Sequence, residues 1–135
     1  FMTDKSVTDF LREVHIAILS INRNNQSPHS TPVWYTYEAN DTIWFMASPG
    51  TKKSKLMSVG THVSLVAQTV NDPYKYVSIE GHILDISKGD LEQDLRPISR
   101  RYLGDKGGDE YVESFNDWNS SRYTIEIDKI MTMGL

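Results

Sequence analysis

The sequence predicts a mainly β fold with inserted helices, of the α+β class, in which six antiparallel strands close into a small barrel. Three observations predict it. Six runs rich in β-branched and aromatic residues recur along the chain, several alternating apolar with polar residues. Short Asn-, Gly- and Pro-bearing turns join many of them, so most neighbours run antiparallel. Laid flat, strands of this length would leave long open edges, which closure removes. At 135 residues the chain is expected to form one domain over 1–135.

Each element has its own signal. Ser6 followed by Asp9 has the form of a capping box, and Phe10, Leu11 and Val14 make the apolar stripe of a first short helix. HIAILSINR, 15–23, is β-branched and reads as a strand. RNNQSPH, 23–29, reads as a turn that includes His29, with Asn24 and Asn25 able to adopt the left-handed conformation. STPVWYTYE, 30–38, is the second strand, in which Pro32 marks an edge or a bulge. TIWFMAS, 42–48, is the third, and the three form an antiparallel meander. A helix follows over 51–59, ended by Gly60. THVSLVAQTV, 61–70, and YKYVSIEGHILDI, 74–86, are the next strands, with Gly81 marking a bend or a close approach. Asp90 caps a helix that runs to about Leu103 and stops at Gly104, and GGDEYVESF, 107–115, forms a second short helix. SRYTIEIDKIM, 121–131, alternates Tyr123, Ile125 and Ile127 against polar neighbours and is the last strand.

Composition narrows the function. A formal net charge of −4 gives no reason to expect nucleic acid or an anionic membrane as partner. No apolar run approaches the roughly 20 residues of a membrane span, and no secretory leader is evident at the start. The lack of cysteine excludes thiolate chemistry and fits a cytoplasmic protein. No His pair is spaced for zinc, and no G-x-S-x-G elbow supports hydrolysis. The glycines at 104–108 follow no strand and make no dinucleotide fingerprint. Arg100 and Arg101 read as salt-bridging residues near Glu92 and Asp94.

One local feature resists a purely structural reading. In SPGTKKSKLM, 48–57, a turn leads into a helix whose first turns carry Lys52, Lys53 and Lys55. A helix N-terminus already bears partial positive charge, so each lysine costs roughly 0.3–1 kcal/mol there. No acid occurs between Asp41 and Asp72 to balance them. A solvated basic surface is the plain reading. The turn before the lysines and the missing acids favour a phosphate, met by backbone N–H groups, the Thr51 hydroxyl and the ammonium groups. Trp34 and Trp44 lie in the neighbouring strands, so a planar ligand with a phosphate tail would suit the layout. Core or interface packing is the favoured reading of Trp44.

The order of SPHSTPVWYTYE, IWFMASPGTKKSKLM, HVSLVAQ, YVSIEGHILDI, ISRRYLG and RYTIEIDKI resembles the pyridoxamine 5′-phosphate oxidase-like family of flavin-binding split barrels, from Phe10 to Met133. The resemblance implies an FMN-binding oxidoreductase, or alternatively a deazaflavin-coenzyme reductase or a non-catalytic flavin carrier. It implies a homodimer with cofactor sites between subunits. Gly50, Thr51, Lys52 and Lys53 fall where the family has G-S-R-K, whose side chains hold the FMN phosphate. Val33 and Trp34 match the segment beside the flavin ring, and Ala47 and Ser48 match the strand end that leads into the phosphate turn. Tyr76 stands where the oxidase carries a glutamine. Thr31 replaces a phosphate-site arginine, and the oxidase's C-terminal substrate segment has no counterpart before Leu135, so activity on pyridoxamine phosphate is not expected. No catalytic residue and no substrate follow from the sequence.

Overall fold

The computed structural model describes residues 4–135. The chain runs α1 (Lys5–Arg12), β1 (Ala17–Arg23), β2 (Gln26–Val33), β3 (Thr36–Glu38), β4 (Thr42–Ala47), α2 (Lys52–Leu56), β5 (His62–Gln68), β6 (Tyr76–Lys88), a π-helical turn (Leu91–Leu95), α3 (Arg96–Glu113) and β7 (Ser121–Met133). The strands form one antiparallel sheet in the order β2-β1-β5-β6-β7-β4-β3.

Seven strands replace the six expected, because 30–38 is not one strand. Tyr35 gives its backbone groups to α3 instead of to a neighbouring strand. Its N–H donates to the Tyr102 hydroxyl at 3.0 Å, and its carbonyl accepts from Arg101 Nε at 3.1 Å. The ladder therefore breaks, and the two halves pair differently: β2 with β1, β3 with β4. The expected meander of three adjacent strands is corrected accordingly, since β2 and β4 are not neighbours. The break also shows how the sheet closes. β2 and β3 are its opposite ends, yet Val33 and Thr36 are three peptide steps apart, at most about 11 Å. A seven-stranded sheet whose two ends lie that close must curl on itself, which makes it a barrel split at this seam.

Other signals translate into geometry. Asn25, Asn40 and Asp41 take positive φ in the two hairpin turns. β2 is an edge strand and carries Pro32. It begins at Gln26, so His29 lies in the strand opposite Ile21 rather than in a turn. Gly81 sits at a bulge in β6, where a Cβ would strike the Glu126 carbonyl of β7. Asp90 caps as expected, its carboxylate accepting from the N–H groups of Glu92 and Gln93. Ser6 does not cap: α1 starts at Lys5 with Asp4 before it, and Asp9 instead pairs with Lys5 at 2.7 Å. α2 is shorter than 51–59, ending at Leu56.

Leu19, Ile21, Ile43, Phe45, Leu65 and Ile125 are fully buried and fill the barrel with inward residues from four strands. α1 covers one mouth through Val7, Phe10 and Leu11. Arg101 fixes it there. Its guanidinium donates to the carbonyls of Leu11, Arg12 and Glu13 at the end of α1, as well as to Tyr35. A cation over the last carbonyls of a helix is favourable. So Arg101 bonds backbone carbonyls rather than the acids expected for it, while Arg100 pairs with Asp109.

Candidate functional site

The end of β2, the end of β4 and α3 enclose a cavity of about 440 Å³. Val33 and Trp34 line it from the seam, Ala47, Ser48, Thr51 and Lys53 from the β4–α2 turn. Six of the eight residues singled out in the sequence thus meet in one place. Lys52 is exposed on α2 beside it. Tyr76 is elsewhere, opposite Gln68 and Met133 on the sheet's outer face.

The turn is built stiffly. Gly50 has φ +84°, and a Cβ there would meet nothing, so backbone conformation alone reserves the position for glycine. The Ser48 carbonyl accepts from the Thr51 hydroxyl at 2.8 Å and from the Thr51 N–H at 3.3 Å. The same hydroxyl accepts from the Ser54 N–H at 3.3 Å, capping α2. Thr51 therefore holds the turn itself. Among the described residues, no carboxylate pairs with Lys52, Lys53 or Lys55. Lys53 is the one charged side chain in the lining.

The opposite wall was not read from the sequence. α3 is two half-helices folded at Gly104, whose φ 78° and ψ 167° are non-helical. Gly108 lies against the first half so closely that a Cβ would stand 2.5 Å from the Arg100 nitrogen. Asp109 clasps the halves together, accepting from Arg96 at 2.7 Å and Arg100 at 2.8 Å. Those two guanidinium groups, Arg100 foremost, lower its carboxyl pKa to about 2. The hairpin presents Leu95, Ile98, Tyr111 and Phe115 to the cavity, and Trp118 follows. Tyr111 lies in the last turn of α3 and Phe115 just past its end, four apart, a spacing visible in the sequence. Their destination depended on the fold at Gly104. Trp34 stacks on Tyr102 with centroids 5.0 Å apart and planes within 4°. Trp44 is in the core at 3% exposure, its indole N–H donating to Glu38 and its ring under Arg122.

A larger cavity, about 820 Å³, lies on the outer face of β1 and β5, lined by Val14, Ile16, Ile18, Val66 and Val70 with Lys75 at its margin. It has no cluster of cations: Lys75 is joined in the lining by Glu13 and Asp72. Among the described residues, no group of three His, Cys, Asp or Glu is placed to hold a metal ion, and no helix is long and apolar enough to cross a membrane.

The fold recurs in solved structures. One described as an F420 reductase aligns with TM-score 0.75 at 14% identity, covering 96% of this chain and 98% of that one. A conserved hypothetical protein of Mycobacterium tuberculosis aligns at 0.73 and 19%, covering 98% and 84%. An FAD-binding protein of Mycobacterium smegmatis aligns at 0.65 and 14%, covering 98% and 96%. No curated protein sequence matches. At these identities the structures speak for the fold alone. The sequence itself goes further, because residues 3–129 match the family model described as pyridoxamine 5′-phosphate oxidase. A match over nearly the whole chain, together with a split barrel whose seam and β4–α2 turn share one cavity, places this protein in the pyridoxamine 5′-phosphate oxidase family.

Proposed function

We propose that the protein is a flavoprotein that holds FMN non-covalently in the 440 Å³ cavity and acts as an oxidoreductase. The observation that carries this reading is the lining itself: a half-buried lysine, paired with no carboxylate among the described residues, at one side of an otherwise uncharged, partly aromatic cavity. Those residues fit a flat ring with a single anionic tail. Membership of the family supports the reading, as do relatives described as an F420 reductase and FAD-binding proteins. Bound flavin would supply hydride transfer. The chain's own residues bind and orient. Lys53 and Lys52 take the phosphate, and Thr51 and Gly50 keep the turn that presents them. Val33 and Ala47, both buried, form the wall against the ring beside Trp34. A charge-assisted hydrogen bond contributes roughly 1.5–3 kcal/mol. Lys53→Ala should therefore weaken FMN at least about tenfold, read by titration and by the visible spectrum after desalting. Unchanged affinity would remove the phosphate role. Turnover with NAD(P)H and an acceptor separates an oxidoreductase from a flavin carrier.

Lys52 and Lys55 favour a second reading. Both are exposed and continue the basic strip outward from Lys53. A deazaflavin coenzyme with a longer polyanionic tail would use them, and competition between the two cofactors decides. We further propose a homodimer formed through the apolar outer face, with Tyr76 of each subunit serving the cavity of the other. We place the protein in the cytoplasm.

A further inference from the structure

The hairpin side of the cavity is more than a flavin wall needs. Tyr111 and Phe115 are 40% and 37% exposed, an unusual place to leave two adjacent aromatic rings in water. They are fixed edge to face, centroids 5.1 Å apart at 89°, and Tyr111 tilts against Trp34 at 57°. Trp118 is equally constrained. It packs with Met46 over Gly89, where a Cβ would fall 2.6 Å from Met46 Cε and 2.8 Å from Trp118 Cη2. The result is a rigid aromatic wall, preorganised by a folded helix and with no charged group on it.

We propose that this wall is a second subsite, which takes a planar, uncharged, conjugated ring compound beside the flavin as the protein's substrate class. The proposal rests on the flavin reading above. Shape selects the class: offset and edge-to-face contacts reward a flat π-system over a puckered ring of equal size. Charge selects it too. Lys53 is the cavity's one charged lining residue and serves the cofactor phosphate, so an anionic substrate finds no further cation. A cationic one, although aromatic faces attract it, finds no carboxylate in the lining to pair with.

The test compares two probes of one carbon skeleton, 2-naphthol and its saturated analogue decahydro-2-naphthol, by calorimetric titration of the full chain saturated with FMN. The expected result is that 2-naphthol binds roughly tenfold or more tightly than the saturated alcohol. The preference should collapse in Tyr111→Leu/Phe115→Leu, which keeps apolar volume and removes the rings. Phe115→Leu alone serves if the double variant fails to fold. Equal binding of the probes, or a preference unchanged by the leucines, overturns the proposal. So does displacement of FMN by 2-naphthol, which would give the wall to the flavin ring. Failure of FMN to bind at all is a separate result and refutes the flavin reading. The same two probes against the protein alone then still decide whether the wall selects flat rings.

Discussion

His82 stands between two carboxylates, Nδ1 2.8 Å from Asp128 and Nε2 3.0 Å from Glu126, with the His62 ring 6.3 Å away. Both ring nitrogens can donate only in the imidazolium form. The hydrogen bond to Asp128 is the main cause that raises its pKa above the usual 6.5, and the Glu126 charge adds to it. A raised folded value means that the charged pair stabilises fully below pH 6.5 and is lost as pH climbs through the higher value. The pair is partly exposed, so the effect is about 0.2–1 kcal/mol, or a few degrees in Tm. Thermal melts of the natural protein and His82→Gln should therefore differ most near pH 6 and converge toward pH 8–9. A gap independent of pH would show that the ring stays neutral. This contact was illegible in the sequence, because 46 residues separate His82 from Asp128 and only the β6–β7 register joins them. The lysine cluster was legible because its anomaly is local: like charge at a helix start, with no acid within reach along the chain.

Elements show the same division between local and distant causes. Gly104 as a helix stop, Asp90 as a cap and Asn25 in a hairpin depend on neighbours in sequence, and all three were readable. The break at Tyr35 was not, because the groups that cause it, Arg101 and Tyr102, lie 66 and 67 residues away. Nor was the folding of α3 onto itself. That fold makes a sharp prediction from two adjacent glycines. At Gly108 a Cβ would meet the Arg100 backbone at 2.5–2.6 Å, and backbone cannot step aside as a side-chain tip can. At Gly107 the nearest atom is Leu103 Cβ at 3.3 Å. Gly108→Ala should destabilise by roughly 1–3 kcal/mol by prising the half-helices apart. Gly107→Ala should be close to neutral, since helix propensity gains up to about 1 kcal/mol against a slight crowding. Urea melts of the two variants rank them. If both behave alike, the hairpin is not packed through Gly108.

For the whole molecule, the curled sheet has an inside that is filled and an outside that is half apolar. Register places Ile18 beside Val66, Val66 beside Ser78 and Ser78 beside Met131, so one row crosses four strands on the outer face. Ile16 and Val70 extend it, at 50% and 82% exposure. Farther along the same strands the face turns polar, with Glu80, His82 and Glu126. A surface divided this way withholds apolar area that water penalises at about 25 cal/mol per Å², and a second copy related by a two-fold axis is the commonest way to cover such a patch. Tyr76 lies on this face next to Met133, outside the cavity, so the proposed role of Tyr76 at a cofactor depends on the proposed pairing. Ile18→Glu places a charge in the middle of the row without touching the barrel interior, because Ile18 points outward between buried Ala17 and Leu19. Sedimentation velocity should find a dimer for the natural protein and a folded monomer for the variant. FMN affinity should fall with dimerisation, and Tyr76→Ala should lower it within an intact dimer. A natural protein that sediments as a monomer at micromolar concentration, yet retains FMN through desalting, would detach Tyr76 from the site and leave the cavity complete in one chain.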